Sequence, residues 1–306
     1  MTARSAWIAV DWGSSNLRAW RMEGEAVTAE AGAPVGAIAL DPPEFEPALL
    51  EVVAPWLEDG IRTDIVVCGM AGARGGWEEA PYVAVPSAPG GGDFARPRTR
   101  DPRLDVHILP GLSQSSPPDV MRGEETQLAG LLASPEAGGP RFDGVACLPG
   151  THTKWVHLSA GEVVSFASYM TGEIFALLAT RSVLRKTVGA EGWDDAAFLE
   201  AVDETLSRPE RMAARLFPLR AGALLHDLAP ASARARLSGL LIGAELAGAR
   251  PYWLGRDLVI IGADRLSQAY RAALAQAGLA ARTLDATAMT LGGLAAAHAR
   301  ITGERP

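Results

Sequence analysis

Three stretches of this sequence place a turn of small or hydroxyl-bearing residues directly after an apolar run, a combination suited to binding phosphate oxygens. The first is Val10-Asp11-Trp12-Gly13-Ser14-Ser15-Asn16. It sets a carboxylate at the end of a strand-like run, followed by residues whose backbone N–H groups can face outward. Such a turn can take up phosphate oxygens while Asp11 holds a hydrated divalent cation. The same seven residues also suit an ordinary hairpin turn. The second stretch, Leu148-Pro149-Gly150-Thr151-His152-Thr153-Lys154-Trp155, gathers two threonine hydroxyls beside a glycine and a lysine. Lys154 is one of only two lysines, since 26 of the 28 basic residues are arginine, and it could supply a point charge. The third, Ile260-Ile261-Gly262-Ala263-Asp264-Arg265, delivers small residues to a helix N-terminus, where a nucleotide's anionic or ribose end can bind. Its glycine could equally serve close helix-strand packing. A fourth stretch, Arg122-Gly123-Glu124-Glu125, puts two acids at a helix start, where they could act as a base or simply complement the helix dipole.

These stretches need strands to carry them. Residues 7–11 and 17–22 read as two strands around the first turn, 26–31 as a third, and 64–70 as a buried strand entering a glycine-rich turn. Between them, 43–57 has helical spacing at Phe45, Leu49, Val52, Val53 and Trp56, although Pro47 and Pro55 weaken its ends. Residues 86–103, rich in proline and glycine, read as an exposed loop or a loop with a short edge strand. Strands at 144–148, 154–158 and 162–168 repeat the strand-turn-strand unit of the N-terminus. Helices at 173–184, 194–206, 211–225 and 231–249 follow, then a strand at 258–261, a helix at 265–278 and a last small-residue helix ending at Arg300. Alternating strands and helices, with one unit used twice, predict a duplicated α/β protein. The boundary is expected near the Ser134–Phe142 stretch. That gives an N-terminal lobe over 1–135 and a C-terminal lobe over 136–306, with the last helix able to pack back on the hinge.

Composition narrows the partners. The chain has 306 residues and a net charge of 28 − 36 = −8, which argues against broad contact with nucleic acid or anionic membrane, both of which need a basic footprint. Small anions in a local pocket are compatible with it. Cys68 and Cys147 lie in separate apolar runs and suggest buried thiols rather than a disulfide or zinc framework. The five histidines show no metal spacing beyond the loose pair His152 and His157. Neither a secretory leader nor a membrane-length apolar run is evident, so a cytoplasmic enzyme is expected. Walker A, dinucleotide-fingerprint, protein-kinase and Gly-x-Ser-x-Gly patterns are absent from the sequence.

The order and spacing of the three turns resemble the actin-like ATPase superfamily of sugar kinases. Further segments resemble its 2-dehydro-3-deoxygalactonokinase family: VDWGSSNLRAW (10–20), CGMAGARGGW (68–77), MRGEETQL (121–128), LPGTHTKWV (148–156), FASYMTGEIFALL (166–178) and LLIGAELAGA (240–249). They span the chain, and DWGSSNLRAW with PGTHTKW is the more specific pair. The resemblance implies a two-lobed, duplicated ribonuclease H-like fold with an interlobe cleft. It also implies an ATP- and Mg²⁺-dependent kinase that phosphorylates the terminal 6-hydroxyl of 2-dehydro-3-deoxy-D-galactonate in galactonate catabolism. Asp11 would hold Mg²⁺ through water. Gly13, Ser14, Ser15 and Asn16 would contact phosphates, as would Gly150, Thr151, Thr153 and Lys154, with Gly262, Ala263 and Asp264 toward the adenosine.

Two departures bear on the chemistry. The adenosine turn reads Gly-Ala where the superfamily often has paired glycines, and PGTHTKW lacks the catalytic Asp that many sugar kinases place there. Another acid must serve. MRGEETQL resembles the Gly-x-Glu motif of exopolyphosphatases, which by position favours Glu125 as base, with Glu124 the other candidate. The sugar acid would be met by Arg18, Gly72, Arg74, Trp77, Ser168, Tyr169 and Thr171. The competing readings are an exopolyphosphatase-like phosphohydrolase and a non-catalytic nucleotide-dependent sensor. A homodimer is compatible with the apolar helices of the second half.

Overall fold

The protein is described here by a computed structural model covering residues 6–189, 191–262 and 264–303. In chain order the elements are β1 (Trp7–Trp12), β2 (Leu17–Glu23), β3 (Ala26–Ala33), α1 (Phe45–Val53), β4 (Thr63–Gly69), β5 (Tyr82–Ala84), β6 (Leu104–Ile108), β7 (Gly111–Ser115), β8 (Pro118–Met121) and α2 (Glu124–Ala133). Then come β9 (Gly144–Leu148), β10 (Thr153–Ser159), β11 (Glu162–Tyr169), α3 (Thr171–Arg181), α4 (Asp195–Ser207), α5 (Met212–Leu225), α6 (Pro230–Gly248), α7 (Arg250–Trp253), β12 (Leu258–Gly262), α8 (Asp264–Gln276), β13 (Arg282–Asp285) and α9 (Ala286–Thr302).

Two five-stranded sheets share one order, β3-β2-β1-β4-β6 in the first and β11-β10-β9-β12-β13 in the second. In the first, β1 pairs antiparallel with β2 and parallel with β4, and β4 continues parallel to β6. In the second, β12 runs parallel to both β9 and β13. The inner strands β1, β4, β9 and β12 are covered on both faces and are nearly continuous apolar runs. The predicted duplication is therefore present at the level of topology.

The described residues form two compact units. The first comprises the chain up to Asp143, Leu158–Ser165 and the stretch from Ala286 onward; the second comprises Gly144–His157 and Phe166–Asp285. The division thus falls a few residues beyond the expected boundary at 135, and α9 belongs with the N-terminal unit.

In the first unit each face of the sheet has its own cover. Ile8, Val10, Trp12, Ile65 and Val67 pack against Phe45, Leu49 and Val53 of α1. Trp7, Ala9, Val66 and Cys68, on the other face by strand alternation, pack against Leu294 and Ala297 of α9. α2 lies close along α9 because glycines meet backbone there: a Cβ on Gly130 would sit 1.9 Å from the Met289 carbonyl oxygen, and one on Gly293 1.9 Å from that of Thr126. In the second unit α6 is buried on nearly all sides, which explains its lack of a polar face. Its Gly239 and Gly243 press onto α4, and Ala235, Ile242 and Leu246 join the sheet residues Val145, Cys147, Leu258 and Ile260.

Several expectations change. The 43–57 helix is shortened to α1, with 3₁₀ turns at Pro42–Glu44 and Ala54–Trp56 where prolines interrupt; Pro47 is tolerated because it lies in the first turn, where its missing N–H has no intrahelical partner. A small sheet, β5-β7-β8, and the edge strand β13 were not anticipated. No helix among the described residues is long and apolar enough to cross a membrane.

Candidate active site

Asp11 stands near the C-terminal end of β1, opposite Arg18 in the antiparallel register and opposite Cys68 in the parallel one. That pairing converges three side chains. Arg18 donates through Nη2 to Oδ2 of Asp11 at 2.5 Å and through Nη1 to the Thr287 hydroxyl at 3.3 Å, while its guanidinium lies 5.3 Å from the Trp20 ring centre. The Cys68 thiol donates to the other carboxylate oxygen at 3.8 Å. Burial pushes that thiol's pKa well up, with the nearby Asp11 and Glu125 carboxyls adding to the shift, so it stays a neutral donor. Gly69, at φ +87°, lets β4 end against this carboxylate: a Cβ there would lie 2.6 Å from the Trp12 carbonyl oxygen and 3.5 Å from Asp11 Oδ1.

The 13–16 turn continues from Asp11. The Gly13 N–H donates to the Asn16 carbonyl at 2.9 Å, and Ser14, Ser15 and Asn16 are exposed. Gly36 supports the turn from behind, since a Cβ there would fall 1.9 Å from the Ser14 carbonyl oxygen.

The two acids at the start of α2 have separate environments. Glu124 accepts the Arg122 N–H at 3.1 Å. Glu125 is 1% exposed and accepts the Gly123 N–H at 2.7 Å and the Thr126 hydroxyl at 3.2 Å. Desolvation, helped by the Glu124 charge and opposed by backbone N–H donors, raises the Glu125 pKa from its ordinary 4.5 to about 8. Gly123, at φ +108°, brings this corner onto Gly69, with only 3.5 Å between its would-be Cβ and the Gly69 Cα. Asp11, Cys68 and Glu125 are thereby electrostatic neighbours in one unit.

Three residues predicted for the sugar acid are placed elsewhere. Trp77 is enclosed in the core with Trp12 and Phe45, its ring 6.1 Å from each. Gly72 is buried because Arg122, Ile108 and Ala80 leave no room for a Cβ. Arg74 is 90% exposed and pairs with Glu79. The glycine-rich segment is thus a packing corner, and its one arginine points to solvent.

In the second unit the 149–153 turn is held by the start of α3. The Glu173 N–H donates to the Thr151 carbonyl at 3.0 Å, His152 and Glu173 meet at 2.6 Å, and Gly172 lets the helix touch the turn, its would-be Cβ 2.2 Å from the Gly150 carbonyl oxygen. Gly150 itself faces open space, and Thr151 is exposed. Thr153 and Lys154 differ from expectation. Strand alternation turns the Thr153 hydroxyl into the core, 2.8 Å from the Tyr270 hydroxyl, and buried Lys154 donates to Ser168 at 2.6 Å. Neither side chain projects from the turn. Tyr169 is half-buried against Gly248, and its pKa is pushed up by burial and by Glu245.

Beneath the turn lies a carboxyl that the sequence reading passed over. Glu245 of α6, 3% exposed, accepts Trp155 Nε1 at 2.8 Å and the Tyr270 hydroxyl at 2.7 Å, and is also hydrogen-bonded by Thr171. Desolvation raises its pKa to about 7 against the lowering effect of those donors. The available clue was a lone acid within the apolar, glycine-rich LLIGAELAGA segment.

Beside the turn opens a cavity of about 780 Å³, whose walls include Gly150, Thr151, Thr171, Gly172, Arg234 and Arg265. Gly262, from the third predicted turn, is buried against Ser267 and Pro149. Ala263 lies outside the described residues, as does the side chain of Asp264. One other group of metal-ligating side chains is close-set among the described residues, Asp64 with Asp105 and His107. Arg62 and Arg96 on Asp105, and His298 on Asp64, already engage its carboxylates.

Comparison with known proteins bears on what these groups do. The family model described as 2-keto-3-deoxy-galactonokinase matches residues 11–297. A Rhizobium meliloti protein named as a probable 2-dehydro-3-deoxygalactonokinase is 41% identical over 308 residues, covering 97% of this chain and 98% of its own length. The 2-dehydro-3-deoxygalactonokinase of Escherichia coli is 34% identical over 279 residues, 89% of this chain and 91% of its own. The crystal structure of a Sinorhizobium meliloti protein assigned as a 2-dehydro-3-deoxygalactonokinase superposes with a TM-score of 0.87 at 40% identity, over 96% of each chain.

Proposed function

The chain belongs to the 2-keto-3-deoxy-galactonokinase family, sugar kinases that transfer a phosphoryl group to an alcohol, and from that premise we propose that its donor is ATP and its acceptor the terminal 6-hydroxyl of 2-dehydro-3-deoxy-D-galactonate. Its paired sheets of equal strand order are the duplicated fold of actin-like ATPases. The observation that carries the proposal is the convergence of Asp11, Arg18 and Glu125 in one unit, where a metal-binding carboxylate, a cation and a proton acceptor adjoin.

Phosphoryl transfer asks the protein to position reactants and to offset charge rather than to supply covalent chemistry. Asp11 fits Mg²⁺, since a partly exposed carboxylate at a strand end can hold an ion that keeps most of its waters. Bound there, the ion would offset charge on the phosphates. The exposed Ser14, Ser15 and Asn16, in a turn closed by the Gly13 N–H on the Asn16 carbonyl, offer two hydroxyls and backbone N–H groups for phosphate oxygens. Gly150, Thr151 and the N-terminus of α3, which line the cavity, suit a second set of phosphate contacts. Gly262 and Asp264 then lie toward the nucleoside end. Thr153 and Lys154 serve this turn from inside, and Ser168 and Thr171 are taken up by Lys154 and Glu245 rather than by sugar.

On the acceptor side, Arg18, half-exposed and shared with Asp11 and Thr287, offers a cation to the sugar acid's carboxylate. Glu125, ionised, takes the proton of the attacking 6-hydroxyl as the oxygen bonds to the γ-phosphorus and ADP departs. Its pKa of about 8 matches a base working near neutrality. Glu124, engaged by the Arg122 amide, is the weaker candidate.

The deciding experiment offers purified protein ATP, Mg²⁺ and a panel of sugar acids and hexoses, reading ADP release and product. A 6-phosphorylated 2-keto-3-deoxy acid is expected. Turnover of a hexose with none of the acid would overturn the substrate assignment.

A further inference from the structure

Beneath the cavity, one buried carboxyl is joined to both components that line its phosphate-sized corner. Glu245 is hydrogen-bonded by Thr171, the first residue of α3, and through Tyr270 it reaches Thr153, at the end of the glycine turn. Trp155, two residues beyond Thr153 on the same face of β10, donates to its other oxygen. The corner itself is made by Gly150 and Thr151 on one side and by Thr171 and Gly172 on the other, held together by the Glu173 N–H on the Thr151 carbonyl.

From this geometry we infer that Glu245 is a positioning residue for nucleotide binding: it fixes the spacing between the 150–153 turn and the N-terminus of α3, and ties both to α8 through Tyr270. The inference rests on the nucleotide reading of the cavity proposed above. Three observations support a positional role. The cavity wall includes Thr171 and Tyr270, both bonded to Glu245, so the carboxyl lies directly behind the surface a ligand would touch. A carboxyl in this apolar core is costly to desolvate, and a hydrophobic residue would fill α6 at less cost. Finally, its partners come from three separate elements, β10, α3 and α8, so its hydrogen bonds set the relation among them. With Glu245 ionised, Tyr270 donates to it, leaving the tyrosine oxygen to accept from Thr153 and drawing that hydroxyl inward. The turn is thereby pinned by side chains that never meet the ligand.

The test measures ADP binding by calorimetry together with steady-state kinetics for wild type, Glu245→Met, Glu245→Gln and Tyr270→Phe. Methionine keeps the length and removes every acceptor; it should weaken ADP binding and raise the nucleotide KM by about 10-fold or more, while the sugar-acid KM stays within about 2-fold. Glutamine, with an acceptor for Trp155 and a donor toward Tyr270, should restore ADP binding to within about 3-fold of wild type. Tyr270→Phe removes the hydroxyl's bonds to both Thr153 and Glu245 but leaves those of Trp155 and Thr171, and should give an intermediate loss; it keeps the test decisive if Glu245→Met fails to fold. Wild-type ADP affinity in folded Tyr270→Phe, and in Glu245→Met where it folds, would overturn the inference alone. Absence of ADP binding by the wild type would overturn the nucleotide reading, and the inference with it.

Discussion

At the scale of single residues, what a side chain can do depends on its depth. Asp11 and Glu125 stand out as candidates in the sequence because one is a carboxylate that follows an apolar run and the other an acid at a helix start after glycine. We expect Asp11→Asn and Glu125→Gln each to lower kcat at least ~100-fold with the fold retained, measured by ADP release alongside circular dichroism. Full activity in Glu125→Gln with loss in Glu124→Gln would transfer the role of base. The pKa of about 8 at Glu125 also predicts a pH profile. The carboxyl must be ionised to accept a proton, so kcat/KM should climb to a plateau above pH ~8. Stability should move the opposite way. A folded pKa raised above the ordinary 4.5 means the folded state holds more protons, so this contribution is full below ~4.5 and is lost as pH rises through ~8. Glu245, at about 7, adds to the same decline. Asp64, Asp101 and Asp194, held low by hydrogen bonds from His298, Arg103 and Ser232, act below their ordinary 3.8 and leave this window alone. Urea melts at pH 5 and 8 should show the loss, reduced in Glu125→Gln. By contrast, the burial of Trp77, Gly72, Thr153 and Lys154 was not legible, because side-chain direction and enclosure are fixed by tertiary packing, which residue type and proximity to a motif do not encode.

Elements were easier to read where burial imposed a pattern. β1, β4, β9 and β12 stood out as apolar runs, and the four helices after α2 kept their periodicity. β7 and β8 were missed because they are short and partly exposed, with Pro118 opening β8; β13 was missed because four mostly exposed residues carry no alternation. The close crossing of α2 and α9 was also hidden, since a glycine in a helix looks like a local weakness until its neighbour is known. Gly293→Ala tests that crossing. The added methyl would meet the Thr126 carbonyl, so unfolding free energy should fall by about 1–3 kcal/mol or more, as overpacking requires. A stability equal to wild type in urea melts would show that the helices can separate at no cost.

At the scale of the whole chain, the acidic balance of −8 coexists with local cations at the proposed site, chiefly Arg18 beside Asp11. The duplication was legible as a repeated strand-turn-strand arrangement, whereas the ownership of α9 was not. That ownership has a consequence for how the protein is made. The apolar face built from Trp7, Ala9, Val66 and Cys68 is covered by α9, which follows the entire second unit in sequence. A ribosome therefore releases the strands of the first sheet long before their cover, while Gly144–Asp285 has emerged in full ahead of it. The first unit can therefore be completed only after the second has been synthesised. Until α9 is made, that sheet face of the first unit has no cover.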